Sequence, residues 1–178
     1  MFIDPPPRHR YAMGVMLSIV TIPDPVLRLE AAPVADINGG IEQLTREMFD
    51  ALERAEGLGL AAPQVGKSKQ LFIVNIKNDT PRVFINPTIL QTSLETVKHE
   101  EGCLSIPGVY ADVTRPESIQ VQAFTEKGKP FSLTADGLLA RVILHEYDHL
   151  KGVLFPDYLS KRKQEKIWSK FEAAPEAT

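Results

Sequence analysis

The chain is short of cysteine, of long apolar runs and of any dominant charge sign, and each shortage removes a class of protein. Cys103 is the sole cysteine among 178 residues, so no intramolecular disulfide framework holds the fold. No apolar stretch approaches the roughly 18 residues that a membrane-spanning helix needs. Lys and Arg total 20 against 23 Asp and Glu, a net charge of −3, which argues against a surface built wholly for nucleic acid and leaves room for a local basic patch. Neither DNA nor a membrane is expected as a partner. Internal repeats and low-complexity blocks are missing too. What is there, 43% hydrophobic and 24% charged residues in a chain of one-domain length, describes a soluble globular domain with a real core, expected in the cytoplasm.

The first residues stand apart. Arg8, His9 and Arg10 precede a mildly apolar stretch, Tyr11 to Val20. Yet Asp4 and Pro5-Pro6-Pro7 sit where a secretory signal carries its basic region, and Gly14 and Ser18 dilute the stretch. Residues 1–16 read as an irregular leader or as the product of a start codon upstream of Met16, 17–172 as the folded domain, and 173–178 as a frayed tail.

Within the domain, Ile41, Leu44, Met48, Leu52 and Ala55 recur at three- and four-residue steps and predict a helix over 41–56, with Asn38 near its start and Gly57 as its stop. Strands are expected over Leu71–Ile76 and Val83–Leu90, around Ile119, Val121 and Ala123, and over Pro130–Ala135 after a hairpin turn at Glu126-Lys127-Gly128-Lys129. Asp136 can cap a second helix through Leu150, with Gly152 beyond its end. Leu138, Leu139, Val142, Ile143, Leu144 and Leu150 surround that helix, so it should be buried. Ser160 can cap a third, basic helix through Phe171. The expectation is one α+β domain, strands around a central buried helix, with a further helix at the C-terminus.

The central helix also carries His145-Glu146-Tyr147-Asp148-His149. Four residues turn a helix by about 400°, so both imidazoles leave one face and can grip one cation. Glu146 follows a ligand directly, where its carboxylate can reach a water on that cation as a general base. The extended pattern HExxHxxGxxH fits through Gly152, but its third histidine falls on Phe155, and a ligand from a later helix could only be Glu165, Glu172 or Glu176. Cys103, in Glu101-Gly102-Cys103-Leu104-Ser105, is the remaining candidate third ligand. Gly102 lets backbone approach closely, and a divalent ion would hold the thiol as thiolate. Three protein ligands leave a position open for water. Gly57-Leu58-Gly59-Leu60-Ala61-Ala62-Pro63-Gln64 could supply oxyanion donors through backbone and the Gln64 amide. It is no phosphate loop, because GxGxxG and GK[ST] are both missing.

GLGLAAPQ, EGCLS and HEYDH in that order make the chain resemble the peptide deformylases, over roughly residues 18–160, including Pro23-Asp24-Pro25-Val26-Leu27-Arg28 and Gly152-Val153-Leu154-Phe155. The resemblance implies a metal-dependent hydrolase over 17–172 that removes the formyl group from the N-terminal formylmethionine of newly made proteins and releases formate. It implies Cys103, His145 and His149 as metal ligands, Glu146 as general acid/base to a water activated at the metal, and Gln64 with the Leu104 N–H as binders of the formyl oxygen. Gly59 would lie beside the bound peptide with Gly102 close by, while Leu58 and Val142 are candidate walls of a methionine pocket. The implied metal is Fe2+, with Zn2+, Ni2+ or Co2+ able to take its place. Where the family often has an arginine a few residues after EGCLS, this chain reads Pro107-Gly108-Val109-Tyr110. The short spacing between GLGLAAPQ and EGCLS resembles the bacterial type with a helical C-terminus.

Lys161, Arg162, Lys163, Lys166 and Lys170 against Glu165 give that last helix a net charge of +4. Two readings compete: docking of the formylmethionyl nascent chain's enzyme on the RNA-rich ribosome, and a solvated face packed through Ile167, Trp168 and Phe171. Two rivals to the hydrolase reading also have distinct signatures. A small metallopeptidase would cleave unformylated peptides. A structural metal module would close its site with a fourth ligand, for which His99 is the candidate.

Overall fold

In the computed structural model, which describes residues 16–172, Leu71-Phe72-Ile73-Val74 forms a strand buried on both faces. Alternate side chains of a strand point to opposite sides. Leu71 and Ile73 accordingly join one apolar cluster, and Phe72 and Val74 join another. Two helices supply the cover this strand demands. Helix α1, Gly39–Arg54, packs Ile41, Leu44, Met48 and Leu52 on the first face. Helix α2, Gly137–Leu150, packs Ile143 and Leu150 on the second, beside the stacked rings of Phe72 and Phe84.

Five strands make the sheet between them: β1 (Gly59–Ala61), β2 (Leu71–Val74), β3 (Arg82–Thr92), β6 (Ser118–Phe124) and β7 (Pro130–Asp136), antiparallel in the order β1-β2-β3-β6-β7. The intervening β4 (Thr96–Cys103) and β5 (Ile106–Pro116) pair only with each other, as a separate two-stranded hairpin. A third apolar cluster joins Ile106 and Val113 of that hairpin to Leu27, Leu154, Phe155 and Ile167, the last on α3 (Lys161–Glu172). The architecture is α+β, with strands around the buried helix that carries HEYDH and a helix at the C-terminal end. No helix of the described residues is long and apolar enough to cross a membrane. The leader expected over 1–16 lies outside the described residues apart from Met16, and so does the tail expected over 173–178.

Several boundaries differ from expectation, each for a local reason. The Asn38 side chain does accept from the Gly40 N–H at 2.9 Å, so α1 starts two residues early. Its end falls at Arg54, and it is Glu56, not Gly57, that takes the left-handed backbone, φ +54°. Gly57 serves packing instead, since a Cβ there would come within 2.7 Å of Leu52 and 2.9 Å of Leu104. Asp136 occupies the cap position of α2 without a capping hydrogen bond from its side chain. The far end of α2 closes as a Schellman turn: Val153 N–H donates to Asp148 O at 3.0 Å and Gly152 N–H to His149 O at 3.3 Å. Gly152 has φ +69°, and a Cβ on it would meet the Arg28 carbonyl oxygen at 2.5 Å, so only glycine fits.

The β4–β5 hairpin has no counterpart in the sequence-based expectations. Its exposed first strand, Thr96-Val97-Lys98-His99-Glu100, shows no apolar alternation, and Pro107, Gly108 and Pro116 break up the second.

Candidate metal centre and active site

The hairpin brings Cys103, the last residue of β4, against the face of α2 that bears both histidines. A ligand atom from each of Cys103, His145 and His149 lies within 4.8 Å of the others, and the Cys103 Sγ is 3.3 Å from His149 Nε2. On His145 the Nδ1 is taken by the Glu101 carboxylate, Oε2 at 3.0 Å, which turns Nε2 toward the cluster. Burial works against a charged His145, but its hydrogen bonds with Cys103 and Glu101 prevail and hold its pKa well above the usual imidazole range. Burial, then the charge of His145, hold His149 well below that range, as the neutral imidazole that ligates metals. One soft sulfur and two imidazoles, close together and one of them oriented from behind by Glu101, suit a tetrahedral divalent ion with its fourth position open. His99 takes no part. It is exposed, its Nδ1 3.0 Å from the Glu100 carbonyl oxygen, and the group of potential ligands among the described residues has three members.

A cavity of about 450 Å³ opens beside this cluster. Leu58, Gly59, Gln64, Gly102, Cys103, Leu104, Val142, His145 and Glu146 all line it, while His149 lies behind the wall, 1% exposed. The sequence-derived candidates therefore converge on one place, with His149 as its buried support. Leu58 stands half out at the rim and Val142 is buried in the wall. Gly102 is covered by the exposed Tyr110, its partner in the hairpin register, whose ring stands where a Cβ would be.

Glu146 is buried, and its Oε2 has no hydrogen-bond partner among the described residues. Burial pushes its carboxyl up to about 7, against the pull of His145 and Arg115. Its carboxylate packs directly on Gly59, where a Cβ would lie 2.6 Å from Oε1. Gln64 is fixed by both ends of its amide. Its Oε1 accepts from the Ala61 N–H at 2.8 Å, and its Nε2 donates to Ser105 Oγ at 3.2 Å while facing Cys103 Sγ at 3.6 Å. Leu104 lies in the turn that joins β4 to β5.

Behind the cluster runs a charged network absent from the sequence-based candidates. Arg115 donates from Nε and Nη2 to Glu101 at 2.6 and 2.9 Å and from Nη1 to Asp148 at 2.8 Å. Arg141 adds a donation to Glu101 at 2.7 Å, and the Tyr158 hydroxyl donates to Asp148 at 2.9 Å. Glu101 could have been suspected as a carboxylate only two residues before Cys103. Arg115 carries no local signal.

The fold and this centre define a metal-dependent hydrolase of HExxH type. The family model described as polypeptide deformylase matches residues 16–165. Peptide deformylase 1 of Pseudomonas syringae pv. tomato is 46% identical over 159 residues, covering 88% of this chain and 95% of that protein. The peptide deformylase of Brucella suis is 42% identical, covering 86% and 90%. Among solved structures, a peptide deformylase from Ehrlichia chaffeensis in complex with actinonin superposes with a TM-score of 0.88 at 38% identity, covering 91% of this chain and 99% of that one. This chain belongs to the peptide deformylase family, whose members remove N-terminal formyl groups from nascent proteins.

Proposed function

We propose that Cys103, His145 and His149 hold one ferrous ion in this chain, that Glu146 carries the protons of formyl hydrolysis, and that Gln64 and Leu104 bind the formyl oxygen. A divalent ion so held would act as a Lewis acid and would lower the pKa of a water to near neutrality. Glu146 takes a proton from the water that attacks the formyl carbon. The amide oxygen becomes an oxyanion facing the Gln64 NH2 and the Leu104 N–H, preorganised donors worth about 3–4 kcal/mol each. The C–N bond then breaks, Glu146 returns the proton to the departing amine, and formate leaves. A formyl carbon bears only hydrogen on its far side, so a narrow cavity that admits it excludes acetyl and larger acyl groups. Leu58 and Val142 form the apolar walls that receive methionine.

One observation carries this reading: a buried carboxyl, unpartnered at Oε2, on the same cavity wall as the sulfur and an imidazole, where burial raises its pKa. A general base works best with a pKa near the working pH. The enzyme, purified without oxygen, should contain close to one iron per chain. It should release formate from formyl-Met peptides and leave acetyl-Met peptides untouched, and Glu146→Ala should abolish turnover with the metal retained. Cleavage of internal peptide bonds would replace this reading with a metallopeptidase, and metal without turnover would replace it with a structural site.

The setting we propose is the cytoplasm, on chains leaving the ribosome. The basic side chains of α3 favour contact with RNA, while Ile167 anchors the other side of the helix in the third cluster with Trp168 and Phe171 against it. Replacing Lys163, Lys166 and Lys170 by glutamine should reduce co-sedimentation with ribosomes at low salt. Unchanged co-sedimentation would sink the contact.

A further inference from the structure

The sulfur and the imidazoles of the metal centre come from different elements, and the β4–β5 hairpin shares no strand pairing with the main sheet. Side chains must therefore hold the sulfur within reach of the histidines. Arg141 lies one helical turn before His145 on α2 and is 9% exposed. Its Nη1 donates to Glu101 Oε1 at 2.7 Å and to the Val113 carbonyl at 3.0 Å, and its Nη2 donates to the Val97 carbonyl at 2.7 Å. Val97 and Glu101 belong to β4 and Val113 to β5, so one guanidinium on the helix grips both strands of the hairpin. Glu101, two residues before Cys103 on β4, then accepts from His145 Nδ1.

We propose that Arg141 is a positioning residue for the metal centre, clamping the sulfur-bearing hairpin to the histidine-bearing helix and fixing Glu101 where it orients His145. The inference rests on Cys103, His145 and His149 being the metal ligands. Arg115 cannot replace the clamp. It sits on β5, so its bonds to Glu101 stay inside the hairpin and only its Nη1 reaches α2, at Asp148. The charge alone does not suffice either. Three acceptors spread over two strands require the planar fork of a guanidinium, which the single ammonium of lysine does not provide.

The test compares the wild type with Arg141→Met and Arg141→Lys, each loaded with Co2+. The measurements are cobalt release to a chromophoric chelator, the visible ligand-field spectrum, and kcat and KM for formate release. Partners behind a metal-bound histidine are typically worth 10–100-fold in metal affinity or activity. Arg141→Met should release cobalt about 10–100-fold faster, shift the ligand-field bands and lower kcat with little change in KM. Arg141→Lys should fall between, and it carries the comparison if the methionine variant does not fold. A residue that served stability alone would leave the spectrum and release rate of the folded protein unchanged, and that result in both variants would overturn the proposal. Cys103→Ser separates the two levels of inference. If it kept the wild-type cobalt spectrum, the ligand assignment itself would fail and this inference with it. If it alone lost that spectrum, only the role of Arg141 would fall.

Discussion

The two faces of this molecule are both buried and chemically opposite. Under α1, Met48, Leu52, Leu60, Leu71, Ile73 and Ile85 make a core without a charge. Between α2 and the β4–β5 hairpin, Glu101, Arg115, Arg141, Glu146 and His149 are buried too, though up to 9% exposed. The first region is held by area removed from water, which tolerates any filling of the right volume and shape. The second is held by directional bonds whose partners each leave a desolvated charge behind when removed. Stability can be had from the first kind of packing alone. The second kind also fixes where a sulfur, two imidazoles and a carboxylate stand.

The sharpest way to break this contrast is Arg115→Met. It fills most of the same space yet strips Glu101 and Asp148 of a shared partner inside the protein. Removing one member of a buried ion pair typically costs about 3–5 kcal/mol. Urea unfolding in the presence of a chelator should show that loss with metal release excluded. A cost under 1 kcal/mol would mean that the network is dispensable for the fold. Next comes Gly59→Ala, which acts on Glu146, the proposed general base, instead. The new Cβ would press on the Cγ and carboxylate of Glu146 at 2.6–2.9 Å, and a side chain yields more easily than backbone. Displacing a catalytic group by about 1 Å costs on the order of 100-fold in rate, so kcat for formate release should fall that far with metal content and melting temperature nearly intact.

Two carboxyls then give pH windows of opposite sign in the metal-free protein. Glu101 is penalised by burial but held down at about 2 by hydrogen bonds from His145 and Arg115, against 4.5 as the ordinary value. A depressed carboxyl stabilises the fold above its unfolded pKa, so this contribution, on the order of 3 kcal/mol, is lost as pH falls from about 4.5 through 2. Glu146 is raised to about 7, chiefly by burial, so it favours the fold while protonated and that advantage disappears as pH rises from about 4.5 through 7. Glu146→Gln should therefore make the metal-free protein more stable than wild type at pH 8 and change little at pH 4. Equal stability at both pH values would show that the buried carboxyl carries no such cost.

Legibility in the sequence divides along the same line. Helix α1 and strands β2, β3, β6 and β7 were readable because apolar periodicity is a local signal, and His145, Glu146 and His149 because their spacing puts two imidazoles on one helix face. Cys103, Gln64, Gly59 and Leu104 stood out within motifs, and the cavity unites them. The hairpin escaped notice because its polar first strand is stabilised by bonds to α2 that sequence spacing cannot announce. Arg141 bonds to residues 28, 40 and 44 positions away, and Arg115 reaches Asp148 across 33. Such pairings become visible only when the chain has closed.

The smallest expected effect tests the other half of the contrast. Ile73→Val removes one methylene from a fully buried strand position on the α1 side, with no polar atom nearby to be left without a partner. The loss should be about 0.5–1.5 kcal/mol, the transfer free energy of the missing group plus a small cavity. Metal stoichiometry, cobalt spectrum, kcat and KM should all stay at wild-type values, because Ile73 faces away from α2 while its neighbours Phe72 and Val74 face toward it. A changed spectrum or a kcat lowered tenfold would show that the apolar side governs the geometry of the centre through β2. The two regions would then be one mechanical unit, and the charged bracket around Glu101 would share the placing of the sulfur and the imidazoles with the apolar core.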